Sequence, residues 1–180
     1  MTVLDLLKSV GQCKDFRDKV VSKSVMYDVV EALVWSSFPR EVMNVECVVV
    51  RDEKMLVSLA DQCPKQSWLA KVPSMVAIVN DGKVVEKLYD DRGKLYATQS
   101  VGAAVQSLLL RLQDVGLAGF WVRSFNDKAV ARLLKIPDGK VVEALVVVGY
   151  PKKKVVHDGP VVAVDKMLSF EEYGNKESKE

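Results

Sequence analysis

Between Ser100 and Val122 the chain reads SVGAAVQSLLLRLQDVGLAGFWV, and any fold it adopts must bury this stretch. Val101, Ala104, Val105, Leu108, Leu112 and Val115 recur at helical spacing and form one apolar face about four turns long. Leu109 and Leu110 widen that face, as in a helix covered on most of its sides. Ser100 is expected as the N-cap, its hydroxyl accepting from a first-turn N–H. Gly116 is expected to end the helix, because glycine adopts the left-handed cap conformation without a Cβ penalty. The exit, Leu117 to Trp121, is apolar and sharply turned, and its small residues would let backbone N–H groups approach a flat ligand. A core helix with a tight exit would also account for the same pattern.

The rest of the composition narrows the classes. A chain of 180 residues is expected to form a single domain, 1–180, with a sizeable core. Its net charge of +2 gives no general drive toward nucleic acid or a membrane surface. No apolar run reaches the roughly 18 residues of a membrane span. Asp5 interrupts the apolar part of MTVLDLLKSV, so an amphipathic helix is expected there rather than a signal peptide. Cys13, Cys47 and Cys63 lack metal-ligand spacing, and a reduced, cytoplasmic location with structural thiols fits them. His157 is the one histidine, which leaves neither a His-based triad nor a multi-His metal site.

In chain order, residues 3–10 read as a short helix with Val3, Leu6, Leu7 and Val10 inward. Ser22 or Ser24 caps a second helix, Val25 to Ser36, whose apolar side is Val25, Val29, Ala32, Leu33 and Trp35, and Pro39 ends it. A strand at 45–51 precedes a helix at 53–62, and Ser74 to Val79 is a second buried strand. Asn80-Asp81-Gly82-Lys83 signals a turn, and the charged segment 83–95 is expected to be exposed, as a lid or a short helix. A short strand at 121–123, a helix at 128–134 capped by Asn126 or Asp127, and a strand at 141–148 follow. The tail holds one apolar run, 161–164, and a short amphipathic element near Tyr173. This alternation favours a sheet covered by helices on both faces.

Catalytic side chains are scarce. There is no glycine-rich phosphate loop and no serine elbow. Cys13 has only Lys14 beside it to lower its pKa. Asp90-Asp91 and Glu171-Glu172 read as solvated pairs. A chain without an acid–base set is a binding module, or an enzyme whose chemistry belongs to a cofactor.

Three motifs favour the second possibility. GLAGFW (116–121), LLKIP (133–137) and ALVVVGYP (144–151) follow the long helix in order, and LAKVPSMVAIV (69–79) precedes it. In spacing and order they resemble the nitroreductase family of flavoproteins. That resemblance implies an α+β fold with a central, mainly antiparallel sheet flanked by helices, a long central helix, and an extended C-terminal arm reaching the dimer partner. It implies an obligate homodimer with FMN at two interfacial sites, NAD(P)H as co-substrate, and a small-molecule electron acceptor. The implied activity is FMN-dependent NAD(P)H oxidation that reduces nitroaromatics or quinones by ping-pong hydride transfer.

On the same resemblance the backbone of Leu117, Ala118 and Gly119 faces the flavin ring. Lys14 and Phe16 match the end of an N-terminal phosphate motif, R-x-S-x-[RK]-x-[FY], and Lys153 or Lys154 supplies the later basic group. The chain departs from the pattern at Val10, where the motif has arginine, and at Gln12, where it has serine; Gln12 can still hydrogen-bond a phosphate or ribityl oxygen. A further family segment, P-S-x-x-N-x-Q-P, is shortened here to FPREVMNVECVVV, which leaves Asn44 without an assigned position and would place Glu41 or Glu46 near the flavin. Ser100 stands where the family has aspartate. These departures keep open an alternative, a non-catalytic relative with a degenerate pocket.

Overall fold

The computed structural model describes residues 2–155, 159 and 162–176. Val45–Val50 (β1), Met75–Asn80 (β2), Ala118–Val122 (β3) and Val141–Gly149 (β4) form one antiparallel sheet in the order β1-β2-β4-β3. β2 and β4 lie at its centre, paired from Met75↔Val147 to Asn80↔Val141. Both of their faces are covered, which is why they read as near-continuous β-branched runs rather than alternating ones.

The pleat sends alternate side chains into two separate cores. Val76, Ile78, Ala144, Val146 and Val148 join one cluster, and Met75, Ala77, Leu145 and Val147 join the other. The first is completed by the long helix Gly93–Asp114 (α5), through Val101, Ala104, Val105, Leu108 and Leu112, and by Lys23–Val30 (α2), through Met26 and Val29. The second is completed by Glu53–Ala60 (α3), through Leu56 and Leu59, by a 3-10 turn carrying Leu69, and by Asp127–Leu133 (α6), through Val130. The expected α+β layering, helices on both faces with a long helix against the sheet, is the observed one.

Local signals for helix starts act as read at Ser22 and Asn126, and Asp52 supplies a third cap beyond those expected. Ser22 accepts from the Val25 N–H at 3.3 Å, Asp52 from Met55 at 2.9 Å and Asn126 from Ala129 at 3.1 Å. Gly116 ends α5 with φ +76°, and the Leu117 N–H reaches back to the Leu112 carbonyl at 2.8 Å, the six-residue closure of a Schellman turn.

Other expectations need correction. α5 begins at Gly93, and Ser100 lies inside it, donating to the Tyr96 carbonyl at 3.0 Å instead of capping. Segment 83–95 takes the short-helix alternative rather than the lid: most of it is exposed as expected, but Gly82–Tyr89 (α4) packs on α5 and buries Val85 fully. α4 can lie this close because Gly93 lacks a side chain; a Cβ there would stand 2.3 Å from the Glu86 Cα. The second helix is shorter than 25–36. It tightens into a 3-10 turn over Glu31–Leu33 and leaves Trp35 82% exposed, so Pro39 opens a further turn rather than ending the helix.

At the N-terminus Val3–Ser9 (α1) forms as expected. Thr2 and Asp5 cap each other reciprocally, and the Thr2 hydrogen bonds hold the Asp5 carboxyl below its usual pKa. Its apolar residues Val3, Leu4 and Leu7 are nevertheless exposed. So are Val164, Met167 and Leu168 around the four-residue helix Val164–Met167 (α7). His157 and the start of the 161–164 run lie outside the described residues. Among the described residues no helix is long and apolar enough to cross a membrane.

Candidate functional site

Three stretches far apart in sequence meet at one end of the sheet. Residues 12–17 run from the edge of β3 to the end of β4. Gln12 bridges Gly119 in parallel, the Cys13 N–H donates to the Gly119 carbonyl at 3.0 Å, and the Trp121 N–H donates to Gln12 Oε1 at 3.0 Å. Phe16 then bridges Pro151, the Arg17 N–H donates to the Tyr150 carbonyl at 2.8 Å, and the Lys152 N–H donates to the Asp15 carbonyl at 3.1 Å. Gly149 makes this crossing possible: a Cβ there would sit 2.5 Å from Pro73 Cγ and 2.8 Å from Phe16 Cδ1. The G-Y-P glycine, Phe16 and the proline before β2 thus depend on one another sterically.

The site residues expected from sequence fall into three settings. Gln12 and Lys14 are exposed on the edge of β3. The Lys14 ammonium lies 5.2 Å from the Phe120 ring centre and 5.9 Å from that of Trp68, and the two rings meet edge to face at 4.9 Å. Leu117, Lys153 and Lys154 line a cleft of about 300 Å³ together with Arg17, Gln113 and Tyr150. Ala118 and Gly119 are buried in β3. Gly119 faces α5, where a Cβ would come within 2.8 Å of Leu109 Cδ2 and 2.9 Å of Leu112 Cδ1, so its lack of a side chain serves helix-on-sheet packing.

Charge in this region is mostly positive and partly committed. Lys152 pairs with Asp15 at 2.8 Å, and Arg17 Nε donates to the Pro151 carbonyl at 3.0 Å. Lys153 and Lys154 have no carboxylate partner among the described residues. The Arg123 guanidinium stacks 3.9 Å from the Trp121 ring centre, and the buried indole Nε1 of Trp121 has no hydrogen-bond partner. Cys13 does not act as an activated thiol. Burial pushes its pKa up, and its Sγ donates to the Asp15 carbonyl at 3.4 Å.

Asn44, Glu41 and Glu46 lie elsewhere. Asn44 is 1% exposed and donates to Asn80 Oδ1 at 2.7 Å and to the Ala97 carbonyl at 3.1 Å, beside the start of β1. Glu46 pairs with Lys140, just before β4 begins. Within one copy these groups stand at the opposite end of the sheet from Gly149.

Sequence reasoning missed Trp68, Phe120, Arg17 and Arg123. Nothing in the sequence links Trp68 with Phe120, and only the chain's return past β3 brings Lys14 over their rings. The signal for Arg17 was its place one residue after the N-terminal motif, in a stretch that reads simply as polar.

Known proteins place these features in context. The model of the nitroreductase family matches residues 56–150, more than half of the chain. A protein of Archaeoglobus fulgidus named for NADH dehydrogenase and NAD(P)H nitroreductase activity is 29% identical over 109 residues, 58% of this chain and 60% of that relative's length. Among solved structures, a nitroreductase family protein from Streptococcus pneumoniae TIGR4 superposes with a TM-score of 0.82 at 19% identity, covering 93% of this chain and 99% of the other. An FMN-dependent nitroreductase from Clostridium difficile R20291 gives 0.80 at 20% identity, covering 95% and 100%. The NADPH:FMN oxidoreductase from Vibrio harveyi complexed with NAD+ gives 0.83 at 16%, covering 94% and 77%. At these identities the structures establish a shared fold, while the family match establishes descent: this chain belongs to the nitroreductase family.

Proposed function

We propose that the chain is an FMN-dependent NAD(P)H oxidoreductase acting on electron-poor acceptors such as nitroaromatics and quinones. The observation that carries this reading is the convergence of the 12–17 segment, β3 and the Tyr150–Lys154 stretch beside Lys153 and Lys154, which have no carboxylate partner among the described residues. An FMN needs a cationic hold for its phosphate and a greasy slot for its ring. Lys153 and Lys154 offer the first, and Leu117 and Tyr150 line the same cleft; Phe120 and Trp68 form a separate aromatic face on the other side of the sheet, beside Lys14.

When bound, FMN would supply the redox chemistry, hydride exchange between NAD(P)H and an electron-poor acceptor. The chain's own part is positional. The Trp121 N–H fixes the Gln12 carbonyl and turns its amide nitrogen outward, where it can donate to a phosphate or ribityl oxygen. The Lys14 ammonium, stacked over Phe120, places positive charge beside the slot and favours electron gain there. Ala118 and Gly119 lie buried in β3 at the same end of the sheet, with Gly119 packed against α5.

A cleft of about 300 Å³ is at the lower limit for a cofactor site, typically about 300–1,000 Å³. A homodimer completing the crevice from a second copy fits this, as do the exposed apolar residues Val3, Leu4, Leu7, Trp35, Val164 and Met167. In that assembly α7, with Val164 and Met167 exposed, would face the partner. The test is anaerobic: FMN-loaded protein mixed with NADH or NADPH should bleach, and a nitroarene or quinone should restore the yellow colour. Protein that stays yellow with both nicotinamides contradicts the reading.

A further inference from the structure

A second cleft, of about 550 Å³, lies on the far side of Arg17 and Lys152 from the Lys153–Lys154 cleft. Its rim carries five cations from four separate segments: Arg17, Lys19, Arg51, Lys71 and Lys152. Two carboxylates, Asp18 and Glu53, share the rim, but neither forms an ion pair with any of the five among the described residues. Only Lys152 has a carboxylate partner, Asp15. The two guanidiniums are tethered through single N–H groups, Arg17 Nε to the Pro151 carbonyl at 3.0 Å and Arg51 Nη1 to the Val21 carbonyl at 3.3 Å, which leaves further donors on each. Lys19 is held over the Tyr150 ring at 4.1 Å. The floor is apolar: Phe16, Leu56 and Val72 are all buried.

Unneutralised cations gathered on one concavity repel one another, so the arrangement favours an anionic occupant. Arginine forks suit phosphate oxygens, and an apolar floor suits a flat or aliphatic body. We propose that this cleft binds a phosphorylated small molecule of nucleotide size, its apolar body on Phe16 and Val72 and its phosphates among Arg17, Arg51 and Lys71. The occupant is small because the cations ring one concavity and the chain as a whole carries only +2; an extended polyanion would want a basic stripe. The site adjoins the proposed flavin crevice through Arg17 and Lys152, which line both clefts, but Arg51 and Lys71 belong to the second alone.

Titration calorimetry with ADP, adenosine and a single-stranded oligonucleotide tests this, on the full chain with and without saturating FMN. ADP should bind under both conditions, with adenosine at least about tenfold weaker for want of charge-assisted contacts. Lys71→Gln should lose about tenfold in ADP affinity, and the Arg51→Gln/Lys71→Gln double variant more, while FMN uptake stays unchanged. Lys71 is exposed and has no structural hydrogen bond to disturb, so its single variant keeps the test clear of misfolding. No ADP binding, undiminished ADP binding in both variants, or an oligonucleotide that binds more tightly than ADP overturns the proposal. Because FMN uptake is read separately, failure here is distinct from failure of the flavin reading.

Discussion

Lys153 and Lys154 carry the proposed phosphate contact, and among the described residues no carboxylate pairs with them. Replacing both by glutamine should weaken FMN binding by roughly ten- to a hundredfold, read by fluorescence titration, and leave the unfolding midpoint unchanged because both are exposed. Cys63 tests burial instead. Its thiol is pushed from 9.0 to about 11 by desolvation alone. Below pH 9.0 it is protonated in both states and its contribution is complete. As the pH climbs toward 11 the unfolded chain gives up the proton first, so stability falls. Urea midpoints at about pH 8 and about pH 10.5 should therefore separate more in the native chain than in Cys63→Ala. At this scale the sequence was legible where a residue has one common role: Gly116, Ser22 and Asn126 act as read. Ser100 was not, because a serine hydroxyl bonds a carbonyl four residues back inside a helix as readily as it caps one.

Elements with strong periodicity were legible in type, though α5 starts at Gly93 rather than Ser100; α4 was legible only as an exposed short helix or lid, without its packing on α5. Its eight residues GKVVEKLY are half apolar and half charged or glycine, and commit only Val85 to full burial, so a short window reads as exposed. What fixes it is steric, the backbone contact at Gly93. Gly93→Ala makes the competing effects distinguishable. Helix propensity alone would stabilise by up to about 1 kcal/mol. A Cβ 2.3 Å from the Glu86 Cα and 2.7 Å from its N meets backbone, which no rotamer change relieves, and should cost about 1–3 kcal/mol. A lowered denaturation midpoint is expected; a raised one would mean that the α4–α5 contact is loose. On α5 itself, Leu112→Ala empties a fully buried position between helix and sheet and should cost about 2–5 kcal/mol by the same measurement.

For the whole molecule, sequence order carried the fold because the motifs are local: GLAGFW, LLKIP and GYP each mark the end or the start of one element. The candidate site was less legible, since its parts meet only through long-range pairing. The Gln12–Gly119 and Phe16–Pro151 bridges join positions more than a hundred residues apart, and no spacing rule reports that Lys14 will lie over Phe120. The same distance separates Asn44 and Glu46 from the Gly149 end of the sheet, so if they serve a flavin it belongs to a partner copy. Apolar side chains left exposed on α1, at Trp35 and around α7 suit such a partner.

The most direct measurement is sedimentation of the purified chain with FMN, following protein and flavin absorbance together. The account expects one boundary near 40 kDa, about twice the 20.0 kDa chain, with the flavin colour moving in it. A colourless species at 20.0 kDa, with all flavin left in free solution, would contradict it.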